Sequence, residues 1–333
     1  MPRVAIPELR TTPRIPCAAE VQILQGETMG TTWTVKLIAQ ASVRLEEIRQ
    51  GVQAQLDGVV AQMSTWEESS DLSRFNNGKE ASWHTLPAEL FSVLEHALRV
   101  AEQTSGAFDP TVGALVNRWG FGPSVRQADM PSDGDIQALC PQCGWQKLQL
   151  DASRRAAMQP GGVFVDLSAI AKGFGVDQVT RYLVNFPGVE SCLVEVGGEL
   201  KGHGIKADGA PWWTELELPA DSVATVEPII LALHDLAVAT SGDYRRFFHD
   251  SDVRYSHTVD PRTGRPIANG VASVTVVHES CMHADAMSTA LTVLGAEEGL
   301  DLAIRHSIAA LFLVRTSEGF QEVMTPAFAA MLD

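Results

Sequence analysis

The sequence predicts an α+β fold of mixed sheets with packed helices, and three observations predict it. Apolar residues alternate in short runs such as Trp33, Val35 and Leu37, the period of a half-buried strand. Elsewhere they step by three or four, as in Leu45, Ile48, Val52, Leu56, Val59 and Met63, the period of an amphipathic helix. The two patterns interchange without strict β-α-β alternation, which argues against a doubly wound parallel sheet. The chain has 333 residues, 45% of them hydrophobic and 20% charged, enough to bury a large core without disulfide or metal staples.

In chain order, residues 1–20 read as an extended arm. Val21–Leu24 and the Trp33–Leu37 alternation form a hairpin around Gly30. The Leu45–Met63 helix comes next, then a polar loop over Ser64–Gly78 with a short helix in it. A second helix spans about Pro87 to Thr104, with proline at its start and Gly106 past its end. Residues 120–160 gather turn formers and read as an irregular excursion. Val163–Leu167 is a short strand feeding a helix from Ser168 to Tyr182. Strands follow at Cys192–Val196, ended by Gly197-Gly198, then at Trp213–Leu218 and Val271–Val277. Helices at Ala284–Leu294 and Glu297–His306 and a strand at Ala309–Val314 complete the pattern.

Charge and composition exclude several function classes. With 25 Lys+Arg against 41 Asp+Glu, the formal net charge of -16 repels phosphate backbones, so general nucleic-acid binding is not expected. No run approaches the roughly 18 apolar residues of a membrane span. The first 22 residues carry prolines and arginines but no apolar core, so no signal peptide is read in the chain as written. The five cysteines are too few and scattered for a disulfide framework. Cys140-Pro-Gln-Cys143 lacks the second pair that structural zinc needs and reads as a plain loop.

Four segments carry residues that packing does not require. In His283-Ala-Asp-Ala-Met-Ser-Thr289, Asp285 and Thr289 stand at i and i+4, so a carboxylate and a hydroxyl share one helical face. Such hard oxygens suit Mg²⁺, although a first-turn acid complementing the helix dipole is the plainer reading of Asp285. In Asp166-Leu-Ser-Ala-Ile-Ala-Lys-Gly173, a helix start and Lys172 could attract an anion, or simply be a capped helix with a surface lysine. Ser256-His-Thr-Val-Asp-Pro-Arg-Thr-Gly264 sets His257 just before a strong turn, where it is either a proton acceptor or structural. In Ala107-Phe-Asp-Pro-Thr-Val-Gly113, Asp109 could meet a ligand or cap its own turn, and Phe108 could stack on a ring or be core. No dinucleotide fingerprint, Walker loop, G-x-S-x-G or H-E-x-x-H occurs.

Taken together with four further stretches, these segments resemble the ApbE family of FAD:protein FMN transferases. The further stretches are Thr28-Met-Gly-Thr-Thr-Trp33; Met63-Ser-Thr-Trp66 with Asp71-Leu-Ser-Arg-Phe-Asn76; Glu195-Val-Gly-Gly-Glu199; and Ala239-Thr-Ser-Gly-Asp-Tyr244. All eight fall in the family's order, over roughly residues 20–315. The resemblance implies an α+β, T-fold-related domain over residues 21–333, which could divide into two sublobes around FAD. It implies a Mg²⁺-dependent enzyme that splits FAD and attaches FMN through a phosphoester bond to a threonine or serine hydroxyl, releasing AMP. The acceptor would be a flavin-carrying protein, such as a subunit of a respiratory redox complex. A Mg²⁺-dependent FAD pyrophosphatase and a non-catalytic FAD carrier are the alternatives.

By motif, Asp285, Ser288, Thr289 and the carbonyl of Ala169 would hold the metal. Met29, Trp66, Ala107, Phe108, Asp109, Asp166, Lys172 and the backbone near Val259 would line the FAD site, and His257 would be the base. There are two departures. Trp66 stands where many members carry tyrosine, and Cys17, in Arg-Ile-Pro-Cys, lacks the small-residue context of a lipidated cysteine. A cytoplasmic member, or one on the periplasmic side of the inner membrane whose leader is removed, would fit that start.

Overall fold

The computed structural model describes residues 2–9, 11–124, 129–219, 222, 226–244, 247–250 and 253–332. Its centre is an eight-stranded sheet: β1 (Val21–Thr28), β2 (Thr31–Ala39), β3 (Val189–Val196), β4 (Glu199–His203), β5 (Leu236–Gly242), β6 (Val271–His278), β7 (Ala309–Thr316) and β8 (Gly319–Met324). The strands lie side by side in chain order and every neighbouring pair is antiparallel. Apart from the arm before β1 and the segment after β8, the remaining elements are excursions between adjacent strands.

The β1–β2 hairpin turns on two residues, Met29 (φ 49°) and Gly30 (φ 70°), between the paired Thr28 and Thr31. Positive φ at both central positions is the primed turn whose twist matches the strands. On β2 the expected alternation buries Trp33, Val35 and Leu37. They pack against Ile48, Val52 and Leu56 of helix α1 (Leu45–Met63) and Val176, Val179 and Leu183 of a helix further on. Helix α2 (Ala88–Gln103) follows the expected range. Helix α3 spans Ala171–Val184, and helix α4 spans Cys281–Arg305 with a break at Gly295 (φ 82°, ψ 179°), which divides it as the two helical patterns predict.

The helices cover one sheet face. The other face carries Ile38, Leu193, Val238 and Leu311 against a three-stranded sheet (Arg3–Ala5, Trp212–Glu215, Ile229–Leu233) and Phe328 near the C-terminal end. Among the described residues no helix is long and apolar enough to cross a membrane.

Four local expectations are corrected. The arm carries a strand, since Arg3–Ala5 pairs in parallel with Ile229–Leu231. Val163–Leu167 is not a ladder strand: it makes one bridge, Phe164 to Val112. The Asn76 side chain takes the place of a neighbouring strand, donating to the Val165 carbonyl and accepting from its N–H, both at 2.8 Å. The helix expected from Ser168 begins at Ala171, because Asp166 Oδ1 accepts from the Ser168 N–H (2.8 Å) and holds that residue in a turn. The 120–160 excursion, apart from residues 125–128, which lie outside the described residues, contains a helix (Asp133–Leu139) and strands Gln149–Asp151 and Ala156–Gln159.

The antiparallel register sets several motif segments at one end of the sheet. Trp33 pairs with Val196, Val196 with Glu199, and Gly242 with Ser273. The Met29-Gly30 turn, the Gly197-Gly198 turn, Glu199 and Asp243 therefore share that end.

Candidate functional site

Helices α3 and α4 meet at unusually short range, and glycine permits it. A Cβ on Gly173 would lie 2.3 Å from the Cys281 carbonyl oxygen and 2.8 Å from Asp285 Cβ. With no side chain there, the Gly173 N–H reaches Asp285 Oδ2 at 2.9 Å. A regular helix would give that N–H to the Ala169 carbonyl four residues back. Among the described residues that carbonyl accepts no hydrogen bond, so its lone pairs are left for another partner. One glycine thus couples the Ala169 carbonyl to the Asp285 carboxylate.

Asp285 is only 4% exposed. Its other oxygen, Oδ1, faces Lys172 Nζ at 3.8 Å, beyond hydrogen-bond range. One turn on, Ser288 Oγ donates to the Asp285 carbonyl (2.9 Å), and Thr289 Oγ1 lies 3.5 Å from Ser241 Oγ on β5. A buried carboxylate, two hydroxyls and an unbonded carbonyl form a hard-oxygen donor set, which fits Mg²⁺ better than a softer ion. Among the described residues no cluster of three or more His, Cys, Asp and Glu is placed to hold a metal, so any ion here would be held by mixed oxygens.

Sequence reasoning missed Glu199. It is 2% exposed and its Oε1 sits 2.5 Å from Lys172 Nζ. Lys172 therefore stands between two buried carboxylates. That alters the reading of Lys172, whose charge is shared with Glu199 before any anion arrives. The two glutamates flanking Gly197-Gly198 were visible in the motif, but their roles were not: Glu195 Oε1 accepts from the Gly198 N–H (2.7 Å) and shapes the turn, while Glu199 meets the lysine. Asp177 was missed too. It accepts from Lys201, from Ser280 Oγ and from the Cys281 and Met282 amides, and so fixes the start of α4. Beside that start, burial and then the neighbouring His278 and His96 push the His283 imidazole down to about 3, so it adds no charge two residues from Asp285.

The remaining motif segments reach this cluster through chained contacts. Met29 packs on α3, its Cε 3.3 Å from where a Cβ of Gly175 would be. Asp166 N donates to the Pro110 carbonyl (2.7 Å) and Gly113 N to Phe164 O (3.2 Å), which pins the Ala107–Gly113 segment beside the entry to α3. Asp109, 8% exposed, accepts from Thr111 N and Oγ1 and from Trp145 N at 2.6–3.0 Å. Burial pushes its carboxyl pKa up, opposed by those bonds. Oδ1 accepts within the turn and Oδ2 accepts from the Trp145 segment. Ala107 and Phe108 are buried, the latter in the main core. Trp66 is 61% exposed, and its backbone N–H donates to Ser64 Oγ.

His257 follows the strand Val253–Ser256 and stands edge-on to Phe121, ring centroids 6.2 Å apart. Its neighbours are tied down. Thr258 N donates to Ser256 Oγ, and buried Val259 pairs with Pro266 across the Asp260–Gly264 turn. Trp119 Nε1 donates to the Gly264 carbonyl (2.8 Å). Asp243 joins this segment to the rest: Arg315 grips its carboxylate at 2.6 and 2.9 Å, and Arg254, three residues before His257, donates to its carbonyl at 2.8 Å. Asp243 lies two residues after Ser241, which faces Thr289, so one strand end serves both halves of the site.

The ApbE family model matches residues 29–312. The chain belongs to the ApbE family. Among its relatives, a Vibrio cholerae protein named FAD:protein FMN transferase is 41% identical over 315 residues, 94% of this chain and 93% of the relative. The solved flavin transferase ApbE from Vibrio cholerae superposes with a TM-score of 0.87 at 40% identity, covering 94% of this chain and all of that one. The apo flavinyl transferase ApbE of Pseudomonas stutzeri gives the same TM-score at 39% identity, covering 94% and 97%. Membership in the ApbE family and the α+β architecture agree with what the motifs imply.

Proposed function

We propose that this ApbE-family chain is a Mg²⁺-dependent transferase that cleaves FAD, attaches the FMN half to a threonine or serine hydroxyl of an acceptor flavoprotein, and releases AMP. The names of its relatives support flavin transfer. The observation that carries the metal requirement is the set of hard oxygens around Asp285, whose Oδ1 lies 3.8 Å from Lys172 Nζ. A pyrophosphate dianion would be repelled from such a site on a chain of net charge -16 unless a dication joined it. The residues present fit that ion: Asp285, Thr289, Ser288 and the Ala169 carbonyl would hold it, with Oδ1 of Asp285 outside hydrogen-bond range of Lys172. When bound, Mg²⁺ would neutralise charge growing on the phosphoryl oxygens.

The chain's own residues would do the rest. Lys172, steadied by Glu199, would face the phosphates as a point charge. Met29, Ala107, Phe108, Asp109, Asp166 and the backbone at Val259 would frame the flavin, and Trp66 would reach it from the surface. In transfer, the acceptor hydroxyl oxygen bonds to the FMN phosphorus, the bond from that phosphorus to the bridging oxygen breaks, and AMP leaves with that oxygen. His257 would take the hydroxyl proton, the role of a positioned general base.

The test is to incubate the protein with FAD, Mg²⁺ and a threonine-bearing acceptor peptide, and to read the peptide by mass spectrometry. The expected result is an added FMN with an equal amount of AMP, abolished by EDTA and by Asp285→Ala. AMP with free FMN only would make the chain a pyrophosphatase, intact FAD would make it a carrier, and full activity in EDTA would overturn the metal role.

A further inference from the structure

We propose that Cys140 and Cys143 are a redox-active dithiol, oxidised by a low-molecular-weight disulfide to a Cys140–Cys143 bond that reshapes the two turns framing the flavin site. The second half of this statement rests on the proposed FAD reading; the first does not.

Cys140–Gln142 is one 3₁₀ turn with Pro141 inside it, and the Cys143 N–H donates to the Cys140 carbonyl at 3.0 Å. An i to i+3 bond of this kind holds the two Cα atoms within about 7 Å, the range that a disulfide spans. The two thiols differ. Cys140 is half-buried, whereas Cys143 is buried and its thiol is pushed up to about 12, first by burial and then by Asp109. Cys140 is therefore the attacking sulfur. Its thiolate bonds to one sulfur of the small disulfide and expels the other half as a thiol. Cys143, losing its proton, then attacks the Cys140 sulfur and expels the second half. Two protein thiols are oxidised by two electrons and one small disulfide is reduced to two thiols. The Lys147 ammonium bonds the Pro141 carbonyl, which sets a cation beside the pair.

The pair is fastened to the site on both sides. Cys140 Sγ lies 2.8 Å from where a Cβ of Gly264 would be, so the sulfur forms a wall under the Asp260–Gly264 turn that follows His257. Cys143 shares an apolar cluster with Leu115, Trp119 and Val259. The next two residues are clamped to the other turn: Gly144 N donates to Thr111 Oγ1 (2.7 Å) and Trp145 N to Asp109 Oδ2 (3.0 Å). Drawing the two sulfurs together moves one wall of each turn. The other cysteines offer no such pair, Cys17 lying exposed on the arm and Cys192 and Cys281 fully buried.

The test uses the full chain with Cys17→Ser, equilibrated in glutathione buffers of rising disulfide content. The expected result is loss of two hydrogens on the peptide holding Cys140 and Cys143, reversed by dithiothreitol. In Cys143→Ser the reaction should stop at one glutathione on Cys140. Hydrogen exchange at the Thr263, Gly264, Gly144 and Trp145 amides should change on oxidation, and FAD affinity should fall about fivefold or more. A pair that stays reduced in excess glutathione disulfide, or a disulfide that leaves those amides and FAD affinity unmoved, overturns the proposal. Thiol state and amide exchange are read without flavin, so a reduced protein that binds no FAD would count against the flavin reading alone.

Discussion

At the scale of single residues, the site depends on groups whose hydrogen bonds leave something over. Asp285 gives one oxygen to the Gly173 amide and leaves the other beyond hydrogen-bond range of Lys172, while Asp109 spends one oxygen on its own turn and the other on the Trp145 amide. The same residue type thus sits in two motifs with different capacities, which spacing alone does not separate. The shared helical face of Asp285 and Thr289 was legible from their spacing. Glu199 was not, since its meaning comes from Lys172, 27 positions earlier in the chain. His257 yields the sharpest residue-level test. Its ring is held by Phe121 and by a strand whose Arg254 is tied to Asp243, so removing the imidazole should leave the frame standing. His257→Ala should lower FMN transfer by about 10² to 10⁴, the usual cost of losing a positioned base. FAD binding by flavin fluorescence should stay within a few-fold. Collapse of binding together with activity would make His257 a flavin contact or a structural residue.

At the scale of elements, the contact between α3 and α4 decides whether the Gly173 amide meets the Asp285 carboxylate. Helix periodicity announced both helices, and the Gly295 break was visible as two separate patterns. The start of α3 and the loss of the Val163–Leu167 strand were not visible. Side chains remote in sequence, above all Asn76, satisfy backbone groups that a ladder or a helix would otherwise take. Gly173 tests the contact directly. A methyl there would press on the Cys281 carbonyl, a backbone atom that can yield only if one helix moves. Overpacking in a well-packed interior costs about 1–3 kcal/mol, and a rigid neighbour puts Gly173→Ala at the upper end. The variant should unfold at clearly lower denaturant and lose the Gly173–Asp285 bond, so its affinity for Mg²⁺ should fall as well. A variant as stable as the parent would mean that the helices do not approach this closely.

At the scale of the whole molecule, the eight sheet strands follow one another in space as they do in the chain, and chemistry is grafted into the excursions between them. The α+β class was legible because strand and helix periods are both clear and do not alternate. Closure of the fold was not, because it joins positions more than two hundred residues apart. Arg3–Ala5 lies in parallel on Ile229–Leu231, Arg3 pairs with Glu322 on β8, and the Ile6 N–H donates to the Met331 carbonyl. Ala5 is fully buried, bridges to Leu332, and packs among Leu231, Leu233 and Phe328 on the sheet face away from α3 and α4. This side therefore separates stability from chemistry. An aspartate at position 5 would bury a charge with no cation within the apolar cluster, which costs about 3–5 kcal/mol when nothing compensates it. Ala5→Asp should therefore lower the melting temperature by several degrees, whereas Ala5→Ser, a small neutral change, should lower it far less. FAD affinity, measured well below the transition, should match the parent in both variants, since the Lys172–Asp285 cluster lies across the sheet. An unchanged melting temperature in Ala5→Asp would show that the strand is not part of the cooperative fold. Lost FAD affinity in a still-folded variant would show that the two faces of the sheet are coupled.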